Sequence, residues 1–513
     1  MDSLSEFRPP PAPSSGCGEE LLEQLCSATP EELRTSHLPL LFSLLDIASD
    51  HLSPQITAVV RRAFQGEEGV AALRSASILP YLLKGVDHSD PLVRAHTLDL
   101  LVRLSQSEGD VKRLCEGGVS PKMAHALSDP SLKVSESAAR VFVAAAEAGI
   151  NTLRQLLDEP TVASLIEISK SKDQSLQLRY LSLVCEMGSK GDAALALCCD
   201  LGLLVPVLVL WQGSDPLVRL NVIEIMGGLA LSRGGFEWVN TNGIVRELCE
   251  IVDTRDCDAY VELQRPAALH CLANLLEAGG EAAVTALLEE QQLLSRVWPH
   301  LTEAAAAGEH SSALAVLRAA AASPTGMEQL LKRETPGLQP LPALMRSSDE
   351  RTKLGAYSVA AQLCATAAVC HSDSLCSRMG VLQSLVNGAA TSPSTSASDA
   401  IAQVATNSFS DGLRMGALSL LQALTGLQWG AAALCSSESV IELLLGASVS
   451  FSVSPEELRM KHTIAQHLAA MPVCAELLGA NSPVLQSLKN YASAGPFQPQ
   501  RPRATRVAAP LTL

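Results

Sequence analysis

Aromatic residues are scarce. Only 3% of the 513 residues are Phe, Trp or Tyr, although 47% are apolar. An apolar fraction drawn from Leu, Ala and Val favours slender helices in close contact over sheets. Cations are also outnumbered: 38 Lys and Arg stand against 54 Asp and Glu, a net charge of −16. Holding a phosphate backbone needs clustered Lys and Arg, so no nucleic acid is expected as a partner. An acidic surface would instead steer a basic protein surface. The longest apolar run, Leu201–Trp211, is broken by Gly202 and Pro206 and is too short to span a bilayer, so no membrane is expected either. The stretch Met1–Glu20 is acidic and proline-rich and lacks the apolar core of a secretory signal. None of the 14 cysteines forms a Cys-x-x-Cys pair. Reduced, buried thiols in the cytoplasm or nucleus are the expectation.

Motifs that carry chemistry are missing as well. There is no Gly-x-x-x-x-Gly-Lys-Ser/Thr, no His-Glu-x-x-His, no Gly-x-Ser-x-Gly elbow and no Gly-x-Gly-x-x-Gly after a strand. The best metal-like group is Cys364, Cys370, His371 and Cys376. Spacings of six put its cysteines on drifting faces of a helix, and no second pair supports them. His462 and His467 lie five apart with no acid at ligand spacing, and they read as solvent-facing or core histidines. No catalysis, cofactor or metal is expected.

What the chain does have is repetition. Asp-Pro-Leu-Val-Arg occurs at Asp90–Arg94 and again at Asp215–Arg219. Asp90, Asp129, Asp173, Asp215, Asp258, Asp349 and Asp411 each precede an apolar helical run, and the first five are 39, 44, 42 and 43 residues apart. The gap of 91 after Asp258 leaves room for a unit around Ala304–Ala322, and the gap of 62 before Asp411 holds one repeat plus an insertion. A further unit opens at Ser454-Pro455-Glu456-Glu457. Periods of about 40–47 residues belong to armadillo and HEAT arrays. The predicted fold is an all-α, armadillo/HEAT-like right-handed helical repeat solenoid. Gly234–Val252 and Gly430–Leu445 each read as a short helix, a turn and a longer helix, which fits a three-helix armadillo unit. We expect a disordered segment at 1–18, the solenoid at 19–495 with a flexible Ser/Thr-rich insertion at 389–409, and a tail at 496–513.

The local physics of each opening is a helix cap. Asp accepts hydrogen bonds from free N–H groups of the first turn, and Pro suits the first helical position. Val93, Leu98, Leu101, Val102 and Leu104 then form one apolar stripe, as do Val218, Ile223, Ile225, Met226 and Leu229. Armadillo proteins that bind nuclear-localisation peptides place a Trp and an Asn four apart on the concave helix. The corresponding pairs here are Asp99/Arg103, Ser182/Glu186, Glu224/Gly228, His270/Asn274 and Ser358/Gln362. Only Asn274 fits, which argues against an import receptor. Trp211, Trp238, Trp298 and Trp429 read as core residues. The expected concave, protein-binding face is carried by Asp99, Arg103, Arg140, Glu186, Glu224, His270, Asn274 and Gln362.

One family shares the details. Ser214-Asp215-Pro216-Leu217-Val218-Arg219 followed by Ile223-Glu224-Ile225-Met226, Ala417–Leu424 followed by Gln428-Trp429, Ala465–Ala469, and the ending Leu488–Phe497 resemble the 26S proteasome non-ATPase regulatory subunit 5 family. Leu38–Leu45 is similar too. The proline-rich start and the stretch around Pro393 depart from its pattern. The resemblance implies an armadillo-type chaperone of proteasome base assembly. Such a protein binds the C-terminal domain of a base ATPase subunit, with associated base subunits, and leaves before the mature proteasome forms. It implies a monomer when free, in the cytoplasm or also the nucleus. The alternative from the same architecture is an armadillo co-chaperone or nucleotide-exchange factor for Hsp70, or another protein-binding scaffold. An enzyme or its regulatory scaffold is a third.

Overall fold

The structure, a computed structural model, describes residues 22–37 apart from 24, 53–75, 78–254, 259–302, 307–332, 338–370, 377–390, 392, 394–446, 454–479 and 481–497. Among these residues every regular element is a helix. The segment 1–18, Leu38–Leu45, Asp258, His371 and Cys376 lie outside the described residues, as does all but the first two positions of the expected tail. The helices fall into two compact units, Met1–Gly235 and Phe236–Leu513, where the sequence suggested one array over 19–495. In a stack of repeats each unit touches only its neighbours, so cohesion is local.

In the first unit, from Gly66 onward, each repeat is two short helices and one longer closing helix. Glu108–Glu116, Ser120–Ala126 and Leu132–Ala148 make one repeat; Ile150–Leu156, Glu159–Ser169 and Gln174–Ser189 make the next. The closing helices Ser53–Ala63, Pro91–Leu104, Leu132–Ala148, Gln174–Ser189 and Pro216–Leu229 pack side by side in that order. In the second unit the closing helices are Ala259–Ala278, Ala307–Ala321, Glu350–Val369, Asp411–Thr425 and Pro455–Ala470, again in neighbouring contact. The unit suspected around Ala304–Ala322 is therefore a closing helix. The fold is an all-α helical repeat solenoid of three-helix, armadillo-type units.

The apolar stripes do what their spacing requires. Val93, Leu98, Leu101 and Leu104 are buried, as are Val218, Ile223, Met226 and Leu229. Val102 and Ile225 are half-buried. Each fully buried Leu, Ile or Val contributes about 1.5–3 kcal/mol. Trp211 and Trp298 are buried, whereas Trp238 and Trp429 are half-buried. The Arg219 guanidinium sits 4.9 Å from the Trp211 ring centre, a cation–π contact.

Four of the opening aspartates cap their helices. Asp90 accepts from the Leu92 N–H at 2.8 Å, Asp173 from Ser175 at 2.8 Å, and Asp349 from Thr352 at 2.8 Å. Asp215 accepts from both Leu217 and Val218, at 2.9 and 3.2 Å. Two others differ from expectation. At Asp411 the cap is Ser410, whose hydroxyl accepts from Leu413, and Asp411 pairs with Arg414 inside the first turn. At Asp129 the cap position belongs to Ser131, while Asp129 accepts from the Ser131 N–H at 2.9 Å. Its carboxylate also takes two bonds from Arg94 of the preceding repeat, at 2.7 and 2.9 Å. Asp215 likewise accepts from Gln174 of the preceding repeat at 3.1 Å. Asp129 and Asp215 thus hold neighbouring repeats together, and Asp215 also starts its helix.

The stretch 389–409 corrects a reading. A flexible loop was expected from its Ser, Thr and Pro content, but Ala397–Asn407 is a helix. Ser396 caps it, accepting from the Asp399 N–H at 3.1 Å, and Ser437 donates to Asp399 at 2.6 Å. Ala397, Ala400, Ile401, Ala402 and Ala405 are buried against the Asp411–Thr425 helix and the Glu438–Leu445 helix. Small alanines give helix propensity and close packing, and the polar residues supply the cap.

Candidate protein-binding surface

The expected face can be read residue by residue. In the first unit Asp99 and Arg140 meet across neighbouring closing helices at 2.5 Å, with Asp99 29% and Arg140 57% exposed. Arg140 also donates to the Ser137 hydroxyl at 3.0 Å. Arg103 turns away from this pair. It donates to the Phe64 carbonyl and, at 2.8 Å, to the Gly66 carbonyl, where the preceding closing helix ends. Arg62 does the same one repeat earlier, reaching the carbonyls of Leu25, Cys26 and Ala28 at 2.7–3.0 Å. An arginine at the end of a closing helix thus satisfies carbonyls that the previous helix leaves open. Glu186 and Glu224 are exposed on the Gln174–Ser189 and Pro216–Leu229 helices.

In the second unit His270 is exposed and Asn274 half-buried on the Ala259–Ala278 helix. Desolvation pulls the His270 pKa down. Gln362 donates to the Thr366 hydroxyl at 3.2 Å, and Thr366 in turn donates to the Ala321 carbonyl at 2.7 Å. Gln362 lines a groove of about 480 Å³ that crosses four closing helices. The polar groups along it are Arg318, Ser358, Gln362, Ser419, Gln422 and His467, at least one from each helix. Its floor is made of Ala361, Ala365, Ala368, Ala423 and Gly426. A Cβ on Gly426 would come within 2.8 Å of the Ala368 Cβ, so the close approach there depends on glycine. Arg318 pairs with Glu277 at 2.5 Å.

His467, read from the sequence as a solvent-facing or core histidine, is exposed and lines the groove. Its Nδ1 lies 2.8 Å from the Thr425 hydroxyl. That hydroxyl already donates to the Gln422 carbonyl at 2.6 Å, so it accepts from Nδ1–H. Nε2 is left as the ring's outward atom, an acceptor when the ring is neutral and a donor when it is protonated. His462, by contrast, meets the Ala492 carbonyl at 3.0 Å and stands edge-on to Tyr491.

Among the described residues no group of three His, Cys, Asp or Glu is placed to hold a metal ion. Cys364, part of the suspected cluster, is fully buried, and burial pushes its thiol up to about 12. No single described helix is long and apolar enough to cross a membrane.

These features define a class: an armadillo-type array with long faces built from successive closing helices. The family follows from comparison. A family model described as "Proteasome non-ATPase 26S subunit" matches residues 19–276 and 391–510, well over half of the chain, and the chain belongs to that family. Mouse 26S proteasome non-ATPase regulatory subunit 5 is 25% identical over 269 residues, covering 50% of this chain and 52% of that protein. The human protein of that name is 24% identical over 240 residues, 46% of each chain. The matched part of the chain thus spans about half the length of these relatives. Among solved structures, an engineered protein shares 16% identity at a TM-score of 0.43, covering 83% of this chain and 98% of its own. A designed armadillo repeat protein in complex with the peptide (KR)4 shares 17% at a TM-score of 0.36, covering 47% and 98%. Likenesses this loose carry no functional argument.

Proposed function

We propose that this protein is a chaperone for assembly of the base of the 26S proteasome regulatory particle. It binds the C-terminal domain of one base ATPase subunit, together with associated base subunits, and dissociates before the mature proteasome forms. The observation that carries the reading is the family match over 19–276 and 391–510. Repeated helical faces support it, because they offer the extended surface that a folded domain needs. The mechanism is steric: the array covers an ATPase face that later docks on the core particle, and docking waits on its departure. It acts without catalysis or cofactor, as a monomer when free, in the cytoplasm or nucleus.

The test is direct. The purified chain is mixed with each isolated base ATPase C-terminal domain, and binding is read by calorimetry at micromolar concentration. Binding to one domain, with exclusion of core-particle subunits in a pull-down from its own source, is the expected result. No binding to any of them refutes the reading. Recovery of Hsp70 instead, with faster ADP release, moves the function to a nucleotide-exchange factor.

A further inference from the structure

We propose that Cys435 and Cys474 form a reversible disulfide on exposure to peroxide, and that this bond fastens the Pro472–Leu478 helix to the Gln428–Cys435 helix of the preceding repeat. The device works on the array itself and is independent of which protein the array holds.

The two helices pack against each other, and their cysteines lie 39 residues apart, one repeat. Side chains on a helix lean towards its N-terminus, so the Cys435 sulfur leans back over the turn that holds Ala431. The Cys474 Sγ is already there, 3.8 Å from the Ala431 carbonyl oxygen. The two thiols meet closely enough to share a hydrogen bond. Both side chains are buried. A single buried cysteine is ordinarily a small apolar filler. Here two of them face each other across a joint between repeats.

Little else holds that joint. Cys474 is the one fully buried residue of the Pro472–Leu478 helix, and Leu477 is 55% exposed. A helix with so small an anchored face opens locally at low cost. Opening admits a small oxidant to sulfurs that the closed array covers, and a covalent bond at the one anchor removes the opening. The pair also divides the chemistry. The hydrogen bond from Cys435 holds the Cys474 pKa down against burial, while the same contact and burial keep Cys435 protonated. Cys474 is therefore the attacking thiolate. It takes one oxygen of hydrogen peroxide as a sulfenic acid; the O–O bond breaks, and the other oxygen leaves as hydroxide and picks up the proton that Cys474 had released. The Cys435 sulfur then attacks the sulfenic sulfur. The S–S bond forms, and the hydroxyl leaves with the Cys435 proton as a second water. Two thiols lose two electrons and two protons, and the peroxide becomes two waters. A small thiol reverses the bond by exchange, so in a reducing compartment it lasts only while oxidant is present.

The test treats the full chain with hydrogen peroxide, blocks the remaining thiols by alkylation and maps its peptides by mass spectrometry without reduction. A cross-linked Cys435–Cys474 peptide that dithiothreitol separates is the expected result. Hydrogen exchange of amides in the Pro472–Leu478 helix should slow at least about tenfold in the oxidised chain and recover on reduction. Cys435→Ala should abolish the slowing and leave Cys474 as a sulfenic acid that dimedone captures. Alkylation of both thiols after peroxide, pairing of either with a different cysteine, a cross-link that leaves exchange unchanged, or slowing that survives Cys435→Ala overturns the proposal. The first three outcomes are read on the unsubstituted chain, so a variant that folds poorly does not blunt the test.

Discussion

Asp129 is where the stacking of repeats can be tested with one substitution. Its carboxylate is 11% exposed and joins the 18%-exposed Arg94 of the preceding repeat through bonds of 2.7 and 2.9 Å. It also accepts from the Ser131 N–H at the start of the Leu132–Ala148 helix. Asp129→Ala therefore removes a mostly buried ion pair and the bond to the Ser131 N–H together. Breaking one side of a buried pair costs about 3–5 kcal/mol. Here Arg94 keeps the carbonyls of His88 and Ser89, at 2.7 and 2.8 Å, which moves the cost to the lower end of that range. Loss of the hydrogen bond from the Ser131 N–H adds about 1 kcal/mol. The expected total of about 4 kcal/mol is a large part of the ~5–15 kcal/mol that holds a typical domain. The more exposed Asp99–Arg140 pair supplies the control, since Asp99→Ala should cost only about 0.5 kcal/mol. Urea unfolding followed by circular dichroism measures both, and hydrogen exchange should show the Leu132–Ala148 helix opening first. A loss below about 1 kcal/mol for Asp129→Ala, or equal losses at the two sites, would refute the staple.

The same residue fixes a pH dependence. Burial works to raise the Asp129 pKa, but hydrogen bonds from Arg94 and from the Ser131 N–H, with the Arg94 charge, hold it below the ordinary carboxylate value. A folded pKa below the unfolded one stabilises the fold fully above the unfolded value, about 3.9. The contribution is lost as pH falls through the lower, folded value. The stability gap between the parent and Asp129→Ala should therefore stay level from neutral pH down to about 4 and narrow only below it.

Three further substitutions probe other parts of the array. Val218→Asp places an unpaired charge in a buried position and should unfold the last repeat of the first unit, whereas Glu224→Lys with His270→Glu should leave melting unchanged and weaken partner binding in calorimetry. His96 is buried with neither ring nitrogen bonded, and burial, reinforced by Arg61 and Lys133 against Asp99, lowers its pKa to about 4. The unfolded chain takes up that proton first, so stability should fall by up to roughly 3 kcal/mol between pH 6.5 and 4, and His96→Leu should flatten that slope in pH-dependent urea titrations. Gly85→Ala should cost about 1–3 kcal/mol in the same assay, because its Cβ would collide with the buried Thr97 hydroxyl and stand 3.0 Å from Thr97 Cγ2.

Much of the fold was legible because repeats write the same physics several times. An Asp or Ser before Pro, then apolar residues at helical spacing, marks Pro91–Leu104, Pro216–Leu229 and Pro455–Ala470 alike. The Ala397–Asn407 helix was missed because Ser, Thr and Pro read as loop chemistry. Here the Ser caps the helix, and Ala400, Ile401 and Ala405 carry the buried face. Asp129 and Asp411 looked like their siblings, yet Ser131 and Ser410 stood close enough to take the cap. Competition between two good capping residues a step or two apart is settled by geometry that spacing does not contain.

The surface was less legible for a different reason. A side chain on a closing helix has three choices: solvent, its own repeat, or the next one. Sequence position fixes the helix face but not which neighbour is within reach. Arg103 sits at a concave spacing, yet it is spent on the carbonyls of Phe64 and Gly66, whereas Gln362 at the matching position of a later repeat faces a groove. The difference lies in the partner helix: the first has open carbonyls to satisfy, and the second has Ala321, whose carbonyl Thr366 already serves. His467 follows the same logic. Thr425 binds Nδ1 and so turns an otherwise ordinary helical histidine into one with a single outward nitrogen over the groove. In an array, then, the residues left for a partner are those that neighbouring repeats have no need of. That remainder can be read only after the contacts between repeats are known.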